Sequence, residues 1–127
     1  MANGNPIRKE LRDLAEKAHD RELGLYLAEL HSRFLQWREG EISPSELSDL
    51  IHEFHDGSAR SVYKTYSNLD REQLVARAIG IGLLEESEVS DEIRERLSSS
   101  IGFYRDHYEI DEGDPLARLR AARTSGA

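Results

Sequence analysis

The residues best suited to chemistry lie in a polar stretch between His52 and Tyr66, which reads HEFHDGSARSVYKTY. Asp56, Arg60, Tyr63 and Lys64 follow one another at spacings of four, three and one residues. A continuous helix would place these four side chains on one face. An arginine, a lysine and a tyrosine hydroxyl on one face can bind a carboxylate or a phosphate. A second interpretation is a surface ion pair between Asp56 and Arg60, with the tyrosines packed on a neighbouring helix. The candidate ligand-binding residues are His52, His55, Asp56, Arg60, Tyr63 and Lys64.

Two histidines of the same stretch are candidate metal ligands. His52 and His55 lie on one side of the predicted helix, with Asp49 and Asp56 one turn away, and imidazole and carboxylate groups can hold a transition metal. Their i, i+3 spacing differs from the i, i+4 spacing of zinc proteases. A Glu-x-x-His ending at His19 lacks the second copy that di-iron bundles use. We therefore expect no metal and no cofactor, with His55 beside the core and His52 in solvent.

The sequence contains no recognisable catalytic motif. It has no Cys, and Gly80-Ile81-Gly82 lacks the further glycine of a dinucleotide-binding loop. No Gly-x-Ser-x-Gly elbow is present either. These observations favour a protein that is not an enzyme, while a helical enzyme or ligand-binding protein centred on residues 52–64 stays open as the alternative.

The charge distribution indicates the kind of partner. The chain has 127 residues and a net charge of −8, and residues 41–114 hold 18 acidic side chains against seven basic ones. Because phosphate contacts dominate nucleic-acid affinity, this acidic body disfavours nucleic acid and favours a basic protein surface. Residues 115–127 carry three arginines and no acid, so a nucleic-acid accessory role through this tail is a third hypothesis. With no membrane-length apolar run and an opening that becomes charged early, we expect a cytoplasmic protein without a membrane helix.

Helical periodicity dominates the chain, and the predicted fold is all-α: a compact antiparallel bundle of four main helices plus a shorter helical piece. The first helical segment covers about residues 6–39, as one helix or as two that meet between Asp20 and Gly24. Ser43, Asp70 and Ser90 are predicted to begin later helices, and Gly40 to follow the end of the first. At Gly57 the apolar stripe moves from the positions expected of a regular helix, which predicts a break or a kink there.

Residues 1–114 are predicted to form a single domain, followed by a short, basic and flexible tail at 115–127. Small residues at Ala76, Gly80 and Gly82 would let another helix approach closely, either within the core or across a homodimer seam. Trp37 is a further candidate interface residue, because tryptophan is enriched at binding hot spots. Residues 7–14 resemble the opening helix of many bundles, helical chorismate mutases among them, and no family is recognised over the chain. The function we expect is that of a regulatory or accessory subunit that binds another protein, or a second copy of itself.

Overall fold

The structure is a computed structural model that describes residues 6–125, and within this range it contains helices and no strand. The predicted all-α class is therefore confirmed. The helices are divided more finely than expected, and the antiparallel four-helix arrangement stays a prediction. The α-helices are α1 (Pro6–Arg38), α2 (Pro44–Glu53), α3 (Arg60–Asn68), α4 (Arg71–Ile81), α5 (Asp91–Arg96), α6 (Ser98–Asp106) and α7 (Pro115–Ser125).

The centre of the fold is α4. Every residue from Leu74 to Leu84 is buried, and α4 packs against α1, α6 and α7. A segment surrounded in this way must be small or apolar on all sides, which explains why residues 74–84 read LVARAIGIGLL with a single charge. That charge, Arg77, has a buried partner described below.

The first helical segment is one unbroken helix, because α1 continues through Asp20 and Gly24. Its core-facing side runs through Leu11, Ala18 and Tyr26, and the position between the last two is occupied by buried Glu22. The gap in the apolar pattern is therefore filled by a charged residue. The second apolar stripe of the sequence, from Leu23 onward, lies on a different side of the same helix.

The chain does not break at Gly57 either, since a π-helical turn at Phe54–Ala59 joins α2 directly to α3. A π-helical turn holds about one residue more than an α-helical turn, because its hydrogen bonds run from i to i+5. A regular α-helix that continued from Phe54 would turn positions 58, 61 and 65 toward the core. In the structure the core-facing positions come one residue later, since Val62 is buried and Tyr66 packs on the core. The extra residue thus accounts for the displaced stripe in the sequence.

The predicted helix starts are confirmed. Ser43 and Glu46 form a reciprocal capping box, Asp70 accepts a hydrogen bond from the Gln73 backbone at 2.8 Å, and Ser90 caps α5. Gly40 has a positive φ of +80°, as expected of a glycine that follows a helix end.

The C-terminal residues are corrected from a tail to a helix. Residues 115–125 form α7, which packs against α4 and α1, with Leu116 buried in the core. Asp114 starts this helix: its carboxylate accepts hydrogen bonds from the Leu116 backbone and from the hydroxyl of Tyr26. Apolar burial and a buried hydrogen-bond partner on α1 explain why this segment docks despite its polar end.

A surface ion cluster connects the segment that follows α4 to α1. Glu88 accepts hydrogen bonds from Arg21 at 2.7 and 2.8 Å and from Lys17 at 3.2 Å, and Arg21 also donates to the Leu83 carbonyl. Hydrogen bonds from Arg21, and then from the Glu85 backbone, lower the pKa of Glu88 to about 2. No helix within residues 6–125 combines the length and the apolar character needed to span a membrane.

Candidate functional site

The first candidate surface is the arm, which we define as residues 27–59: the second half of α1, the turn after it, α2 and the π-helical turn. Within the arm Leu47 is the one buried residue, and it lies outside the main core cluster. The last core residue of α1 is Tyr26. The arm therefore projects beyond the core, and most of its surface faces solvent.

Large apolar side chains are concentrated on the arm. Of the seven that are exposed within residues 6–125, five lie there: Leu27, Phe34, Leu35, Trp37 and Ile51, with exposures from 37 to 50%. Phe34 and Trp37 follow Leu27 by seven and ten positions along α1, and this spacing places all three on one side of the helix. Beside them a shallow groove of about 250 Å³, with Leu30, Leu50 and Phe54 in its walls, separates α1 from α2 and the π-helical turn. Single exposed apolar residues are normal on a protein surface, but their concentration on one part of the fold makes the arm a candidate binding surface.

The arm is also strongly acidic. It carries two arginines against seven carboxylates, and residues 39–59 hold six acids with no Lys or Arg. None of those six carboxylates forms an ion pair with any residue in the range 6–125. Their negative potential is therefore available to a partner.

The second candidate surface is a cleft of about 470 Å³ between α3 and α6, with the π-helical turn at one end. It brings together three of the six predicted ligand residues, Asp56, Arg60 and Lys64. Tyr63 is 71% exposed and does not line the cleft, and neither does His52 or His55, both of which are exposed. Of the four residues expected to share one face, Asp56, Arg60 and Lys64 thus line the cleft and Tyr63 does not, and His55 is exposed rather than beside the core.

The structure offers no alternative metal site in the part of the chain that it describes. No group of three His, Asp or Glu side chains is arranged to hold a metal ion within residues 6–125. The predicted ion pair between Asp56 and Arg60 is also not formed, because no N···O distance between them falls within 4.0 Å. Arg60 and Lys64 thus line the cleft without an ion-pair partner in the range 6–125.

Behind the cleft lies a buried ion pair that the sequence analysis missed. Glu22 of α1 accepts two hydrogen bonds from Arg77 of α4, at 2.7 and 2.8 Å, and both side chains are at most 4% exposed. The Tyr66 hydroxyl donates to the same carboxylate at 2.8 Å, and Arg77 Nε donates to the Tyr108 hydroxyl at 3.3 Å. This network links α1, α3, α4 and the segment after α6.

The electrostatics of this network keep Arg77 charged and the Tyr66 hydroxyl protonated. Burial by itself would lower the pKa of Arg77, but the hydrogen bonds and charge of Glu22 outweigh it, so the pKa is raised and the guanidinium stays charged. Burial, followed by the charge of Glu22, raises the pKa of Tyr66, whose hydroxyl therefore stays protonated and donates. A charged residue in the middle of each buried stripe was the signal in the sequence that could have revealed the pair.

The predicted glycine seam lies inside the protein. Ala76 is fully buried, and a Cβ on Gly80 would be 2.6 Å from the Cβ of Tyr104 on α6. Gly82, at φ +93°, ends α4 and lies against Arg123 of α7. The homodimer seam at Ala76, Gly80 and Gly82 is therefore wrong, because α6 and α7 of the same chain already occupy these positions. Trp37, 40% exposed on the arm, remains a predicted interface residue.

The arginines of the former tail also have partners within the chain. Arg118 pairs with Glu29 at 3.0 Å, Arg120 donates to the carbonyl of Tyr108 at 2.6 Å, and Arg123 donates to the carbonyl of Gly82. These contacts attach α7 to the rest of the fold. They do not favour a free basic segment for nucleic acid.

No family model matches this sequence, and no curated protein or solved structure matches it either. A helical fold alone does not specify a function. The function must therefore be inferred from the arm and the cleft.

Proposed function

We propose that the protein is a non-catalytic interaction module, whose arm binds a basic amphipathic segment of another protein. The observation that carries the proposal is the concentration of five exposed apolar side chains beside carboxylates that have no ion-pair partner within residues 6–125. The two features together match a partner that is apolar on one side and basic at its edges.

The apolar residues supply the affinity in this proposal. Leu27, Phe34 and Trp37 have the spacing with which one helix presents anchors to another. Aromatic side chains at the centre of an interface contribute more than most others, and Trp37 is the largest apolar side chain of the arm. A helical segment laid along α1 and the adjoining groove would cover surface that residues 6–125 leave exposed.

The charge decides between a different partner and a second copy. Each arm carries a net charge of −5, so two arms placed face to face would repel each other. A lysine- or arginine-rich segment gains attraction at the same place. The charge therefore favours a basic partner over the homodimer that the sequence also allowed.

Trp37 is the one tryptophan of the chain, so its fluorescence reports directly on the arm. The probe is a synthetic amphipathic helical peptide built from leucine and lysine, titrated into the full-length protein. We expect a saturable blue shift of the emission, weakened by added salt because the attraction is partly electrostatic. A peptide with glutamate in place of lysine, and a lysine peptide with a scrambled apolar pattern, should produce little or no shift.

Matched variants locate the binding. Leu27→Ser with Phe34→Ser removes two of the three exposed anchors of α1 and keeps the tryptophan reporter, and it should weaken peptide binding at least about tenfold, or about 1.4 kcal/mol. The control, Tyr63→Ser with Phe103→Ser, removes two large side chains outside the arm that are at least 50% exposed, and it should bind as the parent does. Equal losses in the two variants, or no saturable shift in the parent, would reject the arm as the binding surface. If sedimentation shows that the parent is a dimer and that the arm variant is a monomer, the arm would instead bind a second copy of the chain.

A further inference from the structure

The cleft between α3 and α6 holds two cations that the rest of the fold does not use. Arg60 and Lys64 are four residues apart on α3, and neither forms an ion pair or a side-chain hydrogen bond with a residue in the range 6–125. Like charges at this spacing destabilise a helix by a few tenths of a kcal/mol. In a chain whose acids outnumber its bases, two cations side by side without a carboxylate partner form a local basic site.

Hydroxyl groups surround these cations. Ser61 and Thr65, each next to one of the cations in sequence, line the same cleft from α3, and Tyr108 lines it from beyond α6. The Tyr108 hydroxyl accepts a hydrogen bond from the buried Arg77 and donates none to a residue in the range 6–125, so its proton remains available to a ligand of the cleft that Tyr108 lines. Arg77 is itself fixed by Glu22, and the buried ion pair thereby orients a donor at the surface.

The geometry points to a binding site for a phosphate monoester in this cleft. Two cations match the charge of a phosphate dianion, and hydroxyl donors on both walls suit its three oxygens better than they suit a planar carboxylate. The volume of about 470 Å³ exceeds that of the phosphate and leaves room for an organic group. The rings of Tyr104 and Tyr108, with centroids 4.9 Å apart, offer that group an aromatic wall.

One carboxylate in the cleft sets the orientation of the ligand. Asp56 lies at the end formed by the π-helical turn and would repel a phosphate bound beside it. The phosphate is therefore placed toward Lys64, and a hydroxyl or amino group of the ligand would lie near Asp56. Replacing Asp56 with asparagine should strengthen the binding of a plain aryl phosphate, since it removes repulsion without adding bulk.

The test uses phenyl phosphate, with backbone amide chemical shifts of the full-length protein as the readout at constant ionic strength. We expect saturable shifts at residues of the cleft, and weaker binding of benzoate and of inorganic phosphate. Arg60→Gln with Lys64→Gln should weaken binding by about tenfold to a hundredfold, the range for a charged hydrogen bond. Because both side chains are exposed and without ion pairs, this variant should keep the melting temperature of the parent.

Arg71→Gln is the matched control, because Arg71 is exposed and has no ion pair with a residue in the range 6–125 but lies in a different surface cleft. A similar loss with Arg71→Gln would mean general charge attraction and would reject the site. Unchanged binding in the Arg60→Gln, Lys64→Gln variant would also reject the site. Equal affinity for benzoate and phenyl phosphate would reject a preference for phosphate over carboxylate. None of these outcomes depends on Trp37 or the arm, so this site and the proposed interaction function can fail separately.

Discussion

Deletion of Gly57 tests the register between α2 and α3. The π-helical turn contains one residue more than an α-helical turn, and the deletion removes one residue from its middle. In the shortened chain Val62 would follow Phe54 by seven positions and Tyr66 would follow it by eleven, which are the spacings of one face of a regular α-helix. The deletion should therefore convert the π-helical turn to α-helix and leave the same side chains facing the core.

The expected change in the free energy of unfolding is small, because the deletion removes few packing contacts. A Cβ at Gly57 would have no atom within 4 Å, so this position makes no tight contact with the rest of the fold. Glycine in a helix interior costs about 1 kcal/mol relative to alanine, and the deletion removes that cost. We expect the free energy of unfolding to stay within about 1 kcal/mol of the parent, and the melting temperature within about 5 °C.

Urea denaturation followed by circular dichroism at 222 nm measures this change, and deletion of Ser48 is the control. Ser48 is also exposed and helical, but its removal turns buried Leu47 by about 100° relative to Leu50 and Phe54. Exposing Leu47 should cost about 1.5–3 kcal/mol. If deletion of Gly57 costs as much as deletion of Ser48, the register argument is refuted.

Three further predictions concern the core and the surface ion cluster. Arg77→Met alone leaves the Glu22 carboxylate buried without its main partner and should cost about 3–5 kcal/mol, whereas adding Glu22→Leu should recover most of it in urea denaturation. Gly80→Ala places a methyl group against α6 and should cost about 1–3 kcal/mol by thermal melting, whereas Gly24→Ala, in open space on α1, should stabilise by up to about 1 kcal/mol. The lowered pKa of Glu88 stabilises the fold above its unfolded pKa near 4.5 and ceases to do so as pH falls toward 2, so Glu88→Gln should flatten the acid side of a pH–stability profile.

The features that were predictable from the sequence are local ones. A capping box needs only Ser43 and Glu46, and a helix stop needs only Gly40, so each is visible within a few residues. The all-α class follows from the period of the apolar residues, which is likewise a short-range property. The displaced stripe at Gly57 was visible too, but a displaced stripe is compatible with a break, a kink or an extra residue, and the structure contains the third.

The features that were missed are contacts between distant segments. Glu22 and Arg77 are 55 positions apart, and each alone resembles a solvated charge until both helices are placed. Gly80 was assigned to a possible dimer seam for the same reason, since a small residue permits a close approach without indicating which helix approaches. The arginines of α7 resembled a free tail because their acceptors, among them the Gly82 carbonyl, lie in other parts of the chain.

The π-helical turn joins the two proposed binding surfaces. Gly57 lines the cleft that contains Arg60 and Lys64, and it also lines the groove between α1 and α2 on the arm. By the spacing of the core residues, a regular helix one residue shorter would still turn Val62 and Tyr66 toward the core, so we expect that packing alone does not require the extra residue. The extra residue does alter how Asp56 is placed relative to α3, and π-helical turns occur frequently at functional sites. The function of this turn is therefore to be sought in the surfaces that it borders, and deleting Gly57 separates the two roles because binding can change while stability does not.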